Sequence, residues 1–433
     1  MSQKTHGEGK RRPDFLAELG PFQGFATTTK ELGRIFRQIK AGEGFEHPVW
    51  DRTQANPLAK PTLVFDLERI EARMQRLNQL VGEHSVTALL AAKSGPDPRY
   101  LGLGRQYLGG FDVSNLAEYE ALPSPLEGML VSITSPDLEG EFDRFLSKGN
   151  TAVVVLDGQS QLDEFFRRQS SIPFLLRVSS SDLLRGDRSH EEDEVAQSRF
   201  GFTVERVHQL LRGRLASGRR PEGFHLHDGS EVNQRSTYLS LISGLGSLAR
   251  QAAFQPKVIN LGGGFHNISA EEMGDILKAA RREFPPPCSL VVEPGRYFAQ
   301  EAGFGIGRIV HQETCGDLIR FTVNLSNECH LKWSNVKLVC PVMTKARKLK
   351  EVQVFGPSCY EGDRSGRFLL PFQDHLQEES GLLPGRPVFF SGVSTYSAAW
   401  NTSFNGIPKA DINWWRGSRE TGGLVDDEWP PKP

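Results

Sequence analysis

Short apolar segments alternate with helix-like segments through the first two thirds of this chain, and this alternation limits the possible folds more than any other feature. The segments with the length and aliphatic content of buried strands are residues 61–66, 87–92, 110–114, 128–133, 151–156, 173–178, 224–227, 258–261 and 290–293. Strands that alternate with helices form parallel sheets. About eight such units over roughly 250 residues predict a (β/α)8 barrel, which we place at residues 60–305.

The pattern changes after about residue 305. The strand-like segments there have no helix-like segments between them, and they are residues 307–310, 318–323, 352–355 and 387–390. A length of 433 residues exceeds the usual limit of one hydrophobic core, so a second domain is expected. We therefore predict a separate all-β domain, a β-sandwich or barrel-like fold, at residues 306–416.

The two ends of the chain lack a clear succession of strand-like or helix-like segments. Residues 1–20 are rich in Lys, Arg, Gly and Pro, which predicts a disordered tail. Residues 21–59 mix helix-like and loop-like sequence, and we expect this N-terminal segment to pack on the β domain. Residues 417–433 are rich in Gly, Pro and acidic side chains and are predicted to form a loose tail.

The composition argues against several functional classes. The 51 basic and 53 acidic residues nearly cancel, which disfavours nucleic-acid binding. No apolar run approaches membrane-spanning length, and the polar amino terminus does not have the pattern of a secretory signal. The five cysteines lack metal-finger spacing and are odd in number, so we predict free thiols, a cytoplasmic location and no bound metal.

One lysine ends a strand-like run. Residues 87–92 are mostly small or aliphatic, and Lys93 is followed by Ser-Gly-Pro, which predicts a buried strand that stops at a loop. A buried lysine is costly unless it is paired or used covalently, and burial makes the amine a better nucleophile. Alternatively, the ammonium group simply extends to water. The segment alone favours this second interpretation, and the rest of the chain reverses it.

Polar residues follow several other strands, and the active site of a (β/α)8 barrel lies at the carboxyl ends of its strands. The residues with such positions are Lys93, Asp112, His227, Gly262 and Glu293. Glycines 262–264 would let backbone N–H groups approach a phosphate, or would form only a tight turn. Glu293 and Arg296 share a Glu-Pro-Gly-Arg segment, in which the arginine either binds a phosphate or forms a surface ion pair.

Along the chain these residues form an ordered pattern. Its members are Lys93, Asp112, Ser-Arg-Phe-Gly at 198–201, His227, the glycines 262–264, Glu-Pro-Gly-Arg at 293–296, Gly-Pro-Ser-Cys at 356–359 and Tyr396. This order resembles the pyridoxal-phosphate-dependent ornithine, diaminopimelate and arginine decarboxylases of the alanine-racemase-like fold (fold type III). The resemblance covers about residues 60–410. Each motif is modest by itself, but their order is highly specific.

The resemblance implies that Lys93 holds pyridoxal 5′-phosphate (PLP) covalently. It places His227 against the pyridine ring and Glu293 at the ring nitrogen, which a carboxylate keeps protonated. It also implies phosphate contacts from Ser230, Gly262, Gly263, Gly264, Arg296 and Tyr396, and positions near the lysine end of the cofactor for Asp112 and Arg177. In the implied reaction the cofactor accepts the electron pair that departing carbon dioxide leaves, and an acid then protonates the α-carbon.

A homodimer with the active site at the subunit interface is a further implication of the resemblance. Cys359, on a loop of the β domain, would enter the partner's barrel and protonate the α-carbon, with Asp363 nearby on the same loop. The predicted catalytic residues are therefore Lys93, Cys359 and Asp363.

The positions that would bind the distal group of the amino-acid substrate depart from the family pattern. Ornithine and diaminopimelate decarboxylases have an acidic residue directly after the cysteine, whereas this chain has Tyr360, followed by Glu361. A second aspartate of ornithine decarboxylases is replaced near residues 324–325. Lys332 falls about where diaminopimelate decarboxylases place an arginine for a distal carboxylate. Unless loop drift misaligns these segments, they predict a diaminopimelate-like substrate or one carboxylated at its distal end.

Two other functions are open at this point. The first is an amino-acid racemase or epimerase of the same fold, but such enzymes place an arginine at the pyridine nitrogen and use a tyrosine as second base. This chain offers Glu293 and Cys359 in those regions. The second is a non-catalytic PLP-binding protein, but such proteins lack the β domain and the cysteine loop.

Overall fold

A computed structural model of the chain describes residues 60–138, 142–185, 199–213, 218–227, 234–316, 318–339, 348–372, 384–385, 387–417 and 422–424. The described residues form two compact units. One unit comprises residues 66–302, and the other combines residues 60–65 with residues 303–424. The segments predicted as a disordered tail (1–20) and as an N-terminal segment on the β domain (21–59) lie outside the described residues.

The first unit is a closed barrel of eight parallel strands, which confirms the predicted fold class. In chain order the strands are β2 (Val86–Ala91), β3 (Gly110–Val113), β4 (Leu130–Thr134), β5 (Thr151–Leu156), β6 (Phe174–Arg177), β7 (Gly223–His225), β8 (Val258–Asn260) and β9 (Ser289–Val292). Strand β9 pairs with β2 and closes the barrel. Val153, Val155 and Leu175 form part of its buried core. Their alternation along neighbouring strands is the spacing of side chains on one face of a sheet.

Helices follow the strands, as the alternation predicts. They are Leu67–Gly82, Pro98–Tyr107, Leu116–Ala121, Gln159–Arg167, Ser180–Arg185, Val204–Arg212, Arg235–Gln251, Ala270–Glu283 and Gly295–Ala299, with short 3₁₀ turns at Ala92–Ser94, Phe142–Leu146 and Phe265–Asn267. The Asp66 side chain caps the first of these helices by accepting a hydrogen bond from the Arg69 N–H group. Ser269 and Glu272 form a capping box at the start of Ala270–Glu283. No helix in the described part of the chain is long and apolar enough to cross a membrane.

The second unit is built around a nine-stranded sheet. Its strands are β1 (Thr62–Asp66), β10 (Gly303–Cys315), β11 (Leu318–Val323), β12 (Lys337–Val339), β13 (Lys348–Phe355), β14 (Arg364–Phe372), β15 (Pro387–Val393), β16 (Asp411–Gly417) and β17 (Gly422–Leu424). The main path through the sheet is β14-β13-β11-β10-β1-β16-β17, and β15 pairs with both β10 and β12. A short helix, Tyr396–Ala399, follows β15.

Strand β1 corrects one sequence-based assignment. Residues 61–66 were predicted to open the barrel, but β1 pairs antiparallel with β10, with Thr62 opposite Ile306 and Phe65 opposite Gly303. Phe65 also packs on Trp414, with 4.9 Å between the ring centroids. The strand is buried along its whole length, so its apolar run has the same pattern in either sheet.

The predicted loose tail does not begin at residue 417. Strand β16 runs through Gly417, and Trp415 lies opposite Leu424 in an antiparallel pair with β17. The glycines of this segment suggested a tail because they add little apolar surface, but Gly417, Gly422 and Gly423 lie within the two paired strands. Residues 425–433 lie outside the described residues.

Candidate active site

Lys93 lies at the mouth of the barrel, in the 3₁₀ turn that follows β2. The sequence predicted a buried lysine, but the Lys93 side chain is 46% exposed, because the strand ends at Ala91 and the turn carries the side chain away from it. Ser94 holds this turn, since its hydroxyl donates to the Ala91 carbonyl oxygen at 2.6 Å.

Asp112 stands opposite Ala91 on the neighbouring strand and pairs with the lysine. Its Oδ2 atom lies 3.5 Å from Lys93 Nζ, and its side chain is buried. Burial raises the pKa of Asp112 to about 6, and the nearby Glu293 raises it as well, whereas Lys93 lowers it. The pair therefore joins an accessible amine to a carboxyl group that protonates readily.

Glu293 follows β9 and is surrounded by the last residues of two neighbouring strands. Asn260 Nδ2 donates to Oε1 at 2.6 Å, and His225 Nε2 lies 3.3 Å from Oε2. All three side chains are buried. Burial raises the pKa of Glu293, and the hydrogen bond from Asn260 lowers it.

The three glycines form a turn beside His227. Gly262 has φ +64°, and a Cβ atom there would overlap the Leu226 carbonyl oxygen, so only glycine fits without strain. The Gly263 N–H group donates to His227 Nδ1 at 3.1 Å, which leaves the ring proton on Nε2. Burial lowers the pKa of His227 well below its usual value, so the ring is neutral. The Tyr238 hydroxyl donates to the Gly263 carbonyl oxygen at 2.7 Å and fixes the turn from the other side.

Arg177 ends β6 and is also buried. Its Nε atom lies 3.5 Å from Asp157 Oδ1, which accepts a hydrogen bond from the Gly201 N–H group at 2.8 Å. The Phe200 ring contacts the guanidinium groups of both Arg177 and Arg199, each 4.4 Å from its centroid. Asp157 and Phe200 therefore orient Arg177 at this end of the barrel.

Two more predicted phosphate ligands belong to the barrel sequence. Arg296 lies in the helix Gly295–Ala299 directly after the Glu293 segment. Ser230 lies outside the described residues.

The remaining predicted residues belong to the second unit. Cys359 is exposed on the loop between β13 and β14. Asp363, predicted to be catalytic, is buried in that loop and accepts hydrogen bonds from the Ser326 hydroxyl at 3.0 Å and the Asn327 N–H group at 2.7 Å. It also accepts one from the Ser358 N–H group at 3.3 Å. This is the arrangement of a carboxylate that fastens two loops together.

Lys332 is paired within its own turn. Its ammonium group lies 2.7 Å from Glu328 Oε2, and both side chains are partly exposed. Ser397 supports the turn from the helix Tyr396–Ala399, since its hydroxyl donates to the Lys332 carbonyl oxygen at 3.0 Å. The Tyr396 side chain, at the start of that helix, is partly exposed.

The other substrate-binding candidates differ in exposure. Tyr360 is 55% exposed, and the exposed Glu361 pairs with Arg364 at 2.5 Å. Asn324 accepts a hydrogen bond from the Arg308 N–H group at 2.6 Å, and Leu325 is fully buried. Leu325 is therefore part of the core of this unit, whereas Asn324 is partly exposed.

Comparison with known proteins identifies the family. The sequence profile described as "Pyridoxal-dependent decarboxylase, pyridoxal binding domain" matches residues 67–300, more than half of the chain. This chain belongs to the pyridoxal-dependent decarboxylases. Ornithine decarboxylase from Neurospora crassa is 26% identical to it over 258 residues, which cover 57% of this chain and only 51% of that protein. Diaminopimelate decarboxylase from Deinococcus radiodurans is 24% identical over 388 residues, or 85% of this chain and 93% of that protein.

The fold of this decarboxylase matches solved structures as well. The arginine decarboxylase of Paramecium bursaria Chlorella virus, bound to agmatine, superposes with a TM-score of 0.70. The match covers 88% of this chain and 100% of the viral chain at 18% identity, which establishes the shared fold. The protein is thus a PLP-dependent amino-acid decarboxylase.

The residues at the barrel mouth fit this cofactor. An accessible amine, a glycine turn and a buried carboxylate occupy the ends of separate strands of one barrel. A Cβ atom at Gly262 or Gly263 would overlap a backbone carbonyl oxygen, so this turn consists of backbone without side chains, as a phosphate cradle requires.

Sequence reasoning missed His225 and Asn260 in this decarboxylase. Each is a single polar residue in a short apolar strand. By itself this pattern usually indicates a core residue whose polar atoms are hydrogen-bonded within the fold. The available signal was their position, since each is the last residue of its strand.

Proposed function

We propose that this decarboxylase acts on an amino acid whose distal end carries a carboxylate, as in diaminopimelate or a carboxylated amino-acid conjugate. The observation that carries the proposal is the pair formed by Glu328 and Lys332, on a turn fastened to the Cys359 loop by Asp363. The pair offers one cation and one anion about 2.7 Å apart. A distal group that itself carries both charges complements such a pair better than a simple ammonium does.

In the barrel, Lys93 would hold PLP covalently and Glu293 would face its ring nitrogen. The cofactor, when bound, accepts the electron pair that is left as carbon dioxide departs. His227 would lie against the ring in an orientation set by Gly263. The glycine turn, Arg296, Ser230 and Tyr396 would bind the phosphate, and Asp112 and Arg177 would lie near the lysine end.

Cys359 is the proposed proton donor. After the bond between the α-carbon and the carboxylate carbon breaks, the Cys359 thiol would give its proton to the α-carbon. The thiolate would then take up a proton from water before the next turnover. Asp363 would set the position of the loop without touching the reacting atoms.

The attachment of the cofactor has a direct test. Borohydride reduction of the yellow holoenzyme should fix PLP on the peptide that contains Lys93, as read by mass spectrometry. Lys257→Ala is the control, because Lys257 lies in the same barrel unit, is exposed and pairs with Glu222. Label on another lysine in the wild-type enzyme, or on none, would contradict this role.

We also propose a homodimer with shared active sites, in which Cys359 of one chain serves the barrel of the other. Lys93→Ala and Cys359→Ala chains, each inactive alone, should recover about a quarter of wild-type activity when they are mixed equally and exchange subunits. Half of the dimers would then be mixed, and one of their two sites would be intact. No recovery after demonstrated exchange would show that each chain contains its own complete site.

The substrate is tested by comparing kcat/KM for ornithine, lysine, arginine, meso-diaminopimelate and carboxylated diamino-acid conjugates. We expect a substrate with a distal carboxylate to be preferred by at least about 100-fold, the discrimination that a paired charge in a binding site can supply. Lys332→Ala should raise KM for that substrate, whereas the exposed Lys409→Ala control should not. Efficient turnover of ornithine or lysine would refute the substrate assignment.

A further inference from the structure

Glu293 has more polar side chains around it than packing alone requires. Its carboxylate is buried, and its two oxygens each face a polar side chain, Asn260 at 2.6 Å and His225 at 3.3 Å. The Ser132 hydroxyl and the positive charges of Lys93 and Arg177 also lower the pKa of Glu293, whereas the buried Asp112 nearby competes with it for the same cations. Removing a carboxylate from water favours its neutral form. A carboxylate that must remain ionised in such a place needs hydrogen-bond donors that add no negative charge.

Asn260 can act only as a donor toward Glu293. Its Oδ1 atom accepts a hydrogen bond from the Gly262 N–H group at 2.9 Å, which places the amide nitrogen on the side of the carboxylate. One side chain therefore connects the glycine turn to the carboxylate. An aspartate at position 260 could still accept from Gly262, but it would face Glu293 with a second negative charge.

His225 has the same role on the other oxygen. Burial lowers its pKa well below the usual value, and Arg177 lowers it further, so the ring is neutral and carries one proton. Since a carboxylate accepts and does not donate, that proton lies on Nε2, the atom that faces Glu293. The Nδ1 atom has no hydrogen-bond partner within the described residues.

We propose that His225 and Asn260 are positioning residues that keep Glu293 ionised and aimed at the ring nitrogen of the cofactor. The inference rests on the proposed role of Glu293. It adds that two neutral donors, from the ends of β7 and β8, tune how strongly the bound cofactor withdraws electrons. In this role neither residue would contact the reacting carbon.

The test uses the visible absorption spectrum of the bound cofactor as a function of pH, together with the Kd for PLP. Glu293→Gln is the reference variant. Asn260→Asp and His225→Phe should alter the spectrum in the same direction as Glu293→Gln and lower kcat by about 10-fold, as loss of a partner of a ligand typically does. His225→Gln, whose amide can still donate, should remain within about 2-fold of wild type.

Asn150→Asp is the matched control. Asn150 is also buried in the barrel unit and makes three hydrogen bonds, but it precedes β5 and so lies at the opposite end of the barrel. The Asn150→Asp substitution should lower the stability of the protein without altering the absorption spectrum of the cofactor. An equal spectral change in Asn150→Asp and Asn260→Asp would overturn the inference, because both would then act through the fold.

A double-mutant cycle separates action through Glu293 from independent effects. In the Glu293→Gln background, adding Asn260→Asp or His225→Phe should change kcat by less than about 2-fold, whereas additive losses would refute a shared mechanism. If Glu293→Gln itself leaves the spectrum unchanged, the proposed role of Glu293 fails. If Glu293→Gln changes the spectrum and the Asn260 and His225 variants do not, only this inference fails. Should His225→Phe not fold, the size-matched Asn260→Asp decides the outcome alone.

Discussion

Replacing Asp363 with asparagine should destabilise the second unit selectively. The carboxylate is 1% exposed and accepts from the Ser326 hydroxyl, the Asn327 N–H group and the Ser358 N–H group. The two backbone donors bind different oxygens, so whichever oxygen becomes an amide nitrogen, one buried N–H group loses its acceptor. That loss costs about 1–3 kcal/mol, and the remaining bonds lose their charge-assisted strength. We expect the free energy of unfolding to fall by about 2–4 kcal/mol.

Tryptophan fluorescence during urea unfolding reports mainly on this unit. Residues 66–302 contain no tryptophan, and the four tryptophans that the structure describes, at positions 333, 400, 414 and 415, lie in this unit. Far-UV circular dichroism, to which the helices of the barrel unit contribute, should change much less in its main transition. Because Asp363 holds the Cys359 loop, product formation should fall even where the protein is folded and binds PLP normally.

Glu361→Gln provides the comparison, since Glu361 lies on the same loop with a side chain that is 88% exposed. Its effect should stay within about 0.5 kcal/mol. If Asp363→Asn shifts the fluorescence transition no more than Glu361→Gln does, the buried carboxylate does not hold these loops together. The positioning role would then be wrong.

Further predictions concern the barrel. Because burial raises the pKa of Asp112 from 3.8 to about 6, the folded protein holds this proton more tightly than the unfolded chain. In PLP-free protein its contribution to the unfolding free energy should therefore be complete below about pH 4 and fall by about 3 kcal/mol as pH rises through 6. A pH series of denaturant unfolding should show a smaller decline in Asp112→Asn than in wild type, because Glu293, whose pKa burial also raises, still contributes in the variant. Gly262→Ala should destabilise the barrel by about 2–4 kcal/mol and weaken PLP binding in a spectroscopic titration, since its φ is +64° and a Cβ would meet Leu226. Gly82→Ala, which has open space around it, should be nearly neutral, and an equal effect of both would refute the strain argument.

The barrel could be predicted because its signal is repeated: each strand ends where the apolar run ends, and the polar residues that follow share one end of the sheet. The repeated pattern did not identify the first strand of the barrel, because β1 has the same kind of apolar run as a barrel strand. Its assignment depends on pairing with β10, whose residues are far away in the sequence.

The sequence predicted which positions belong to the site, but it predicted the exposure of their side chains less well. Motif order located Lys93 and Asp363, but it did not show that the lysine is accessible or that the carboxylate is enclosed. Those properties depend on a 3₁₀ turn and on donors from a loop more than thirty residues away. Asn260 escaped notice because its partner Glu293 becomes a neighbour only when β8 and β9 pair.

The placement of β1 has a consequence for how the protein is made. Phe65 leaves the ribosome 238 residues before its partner Gly303 (303 − 65), at about 5–20 residues per second roughly 12–48 s earlier. All eight barrel strands are synthesised in that interval, so the barrel can close while Leu63, Val64 and Phe65 still lack the strand they pair with. An unpaired apolar strand is an aggregation risk for as long as it stays exposed. The length of the barrel therefore sets the shortest time for which β1 must remain unpaired during synthesis.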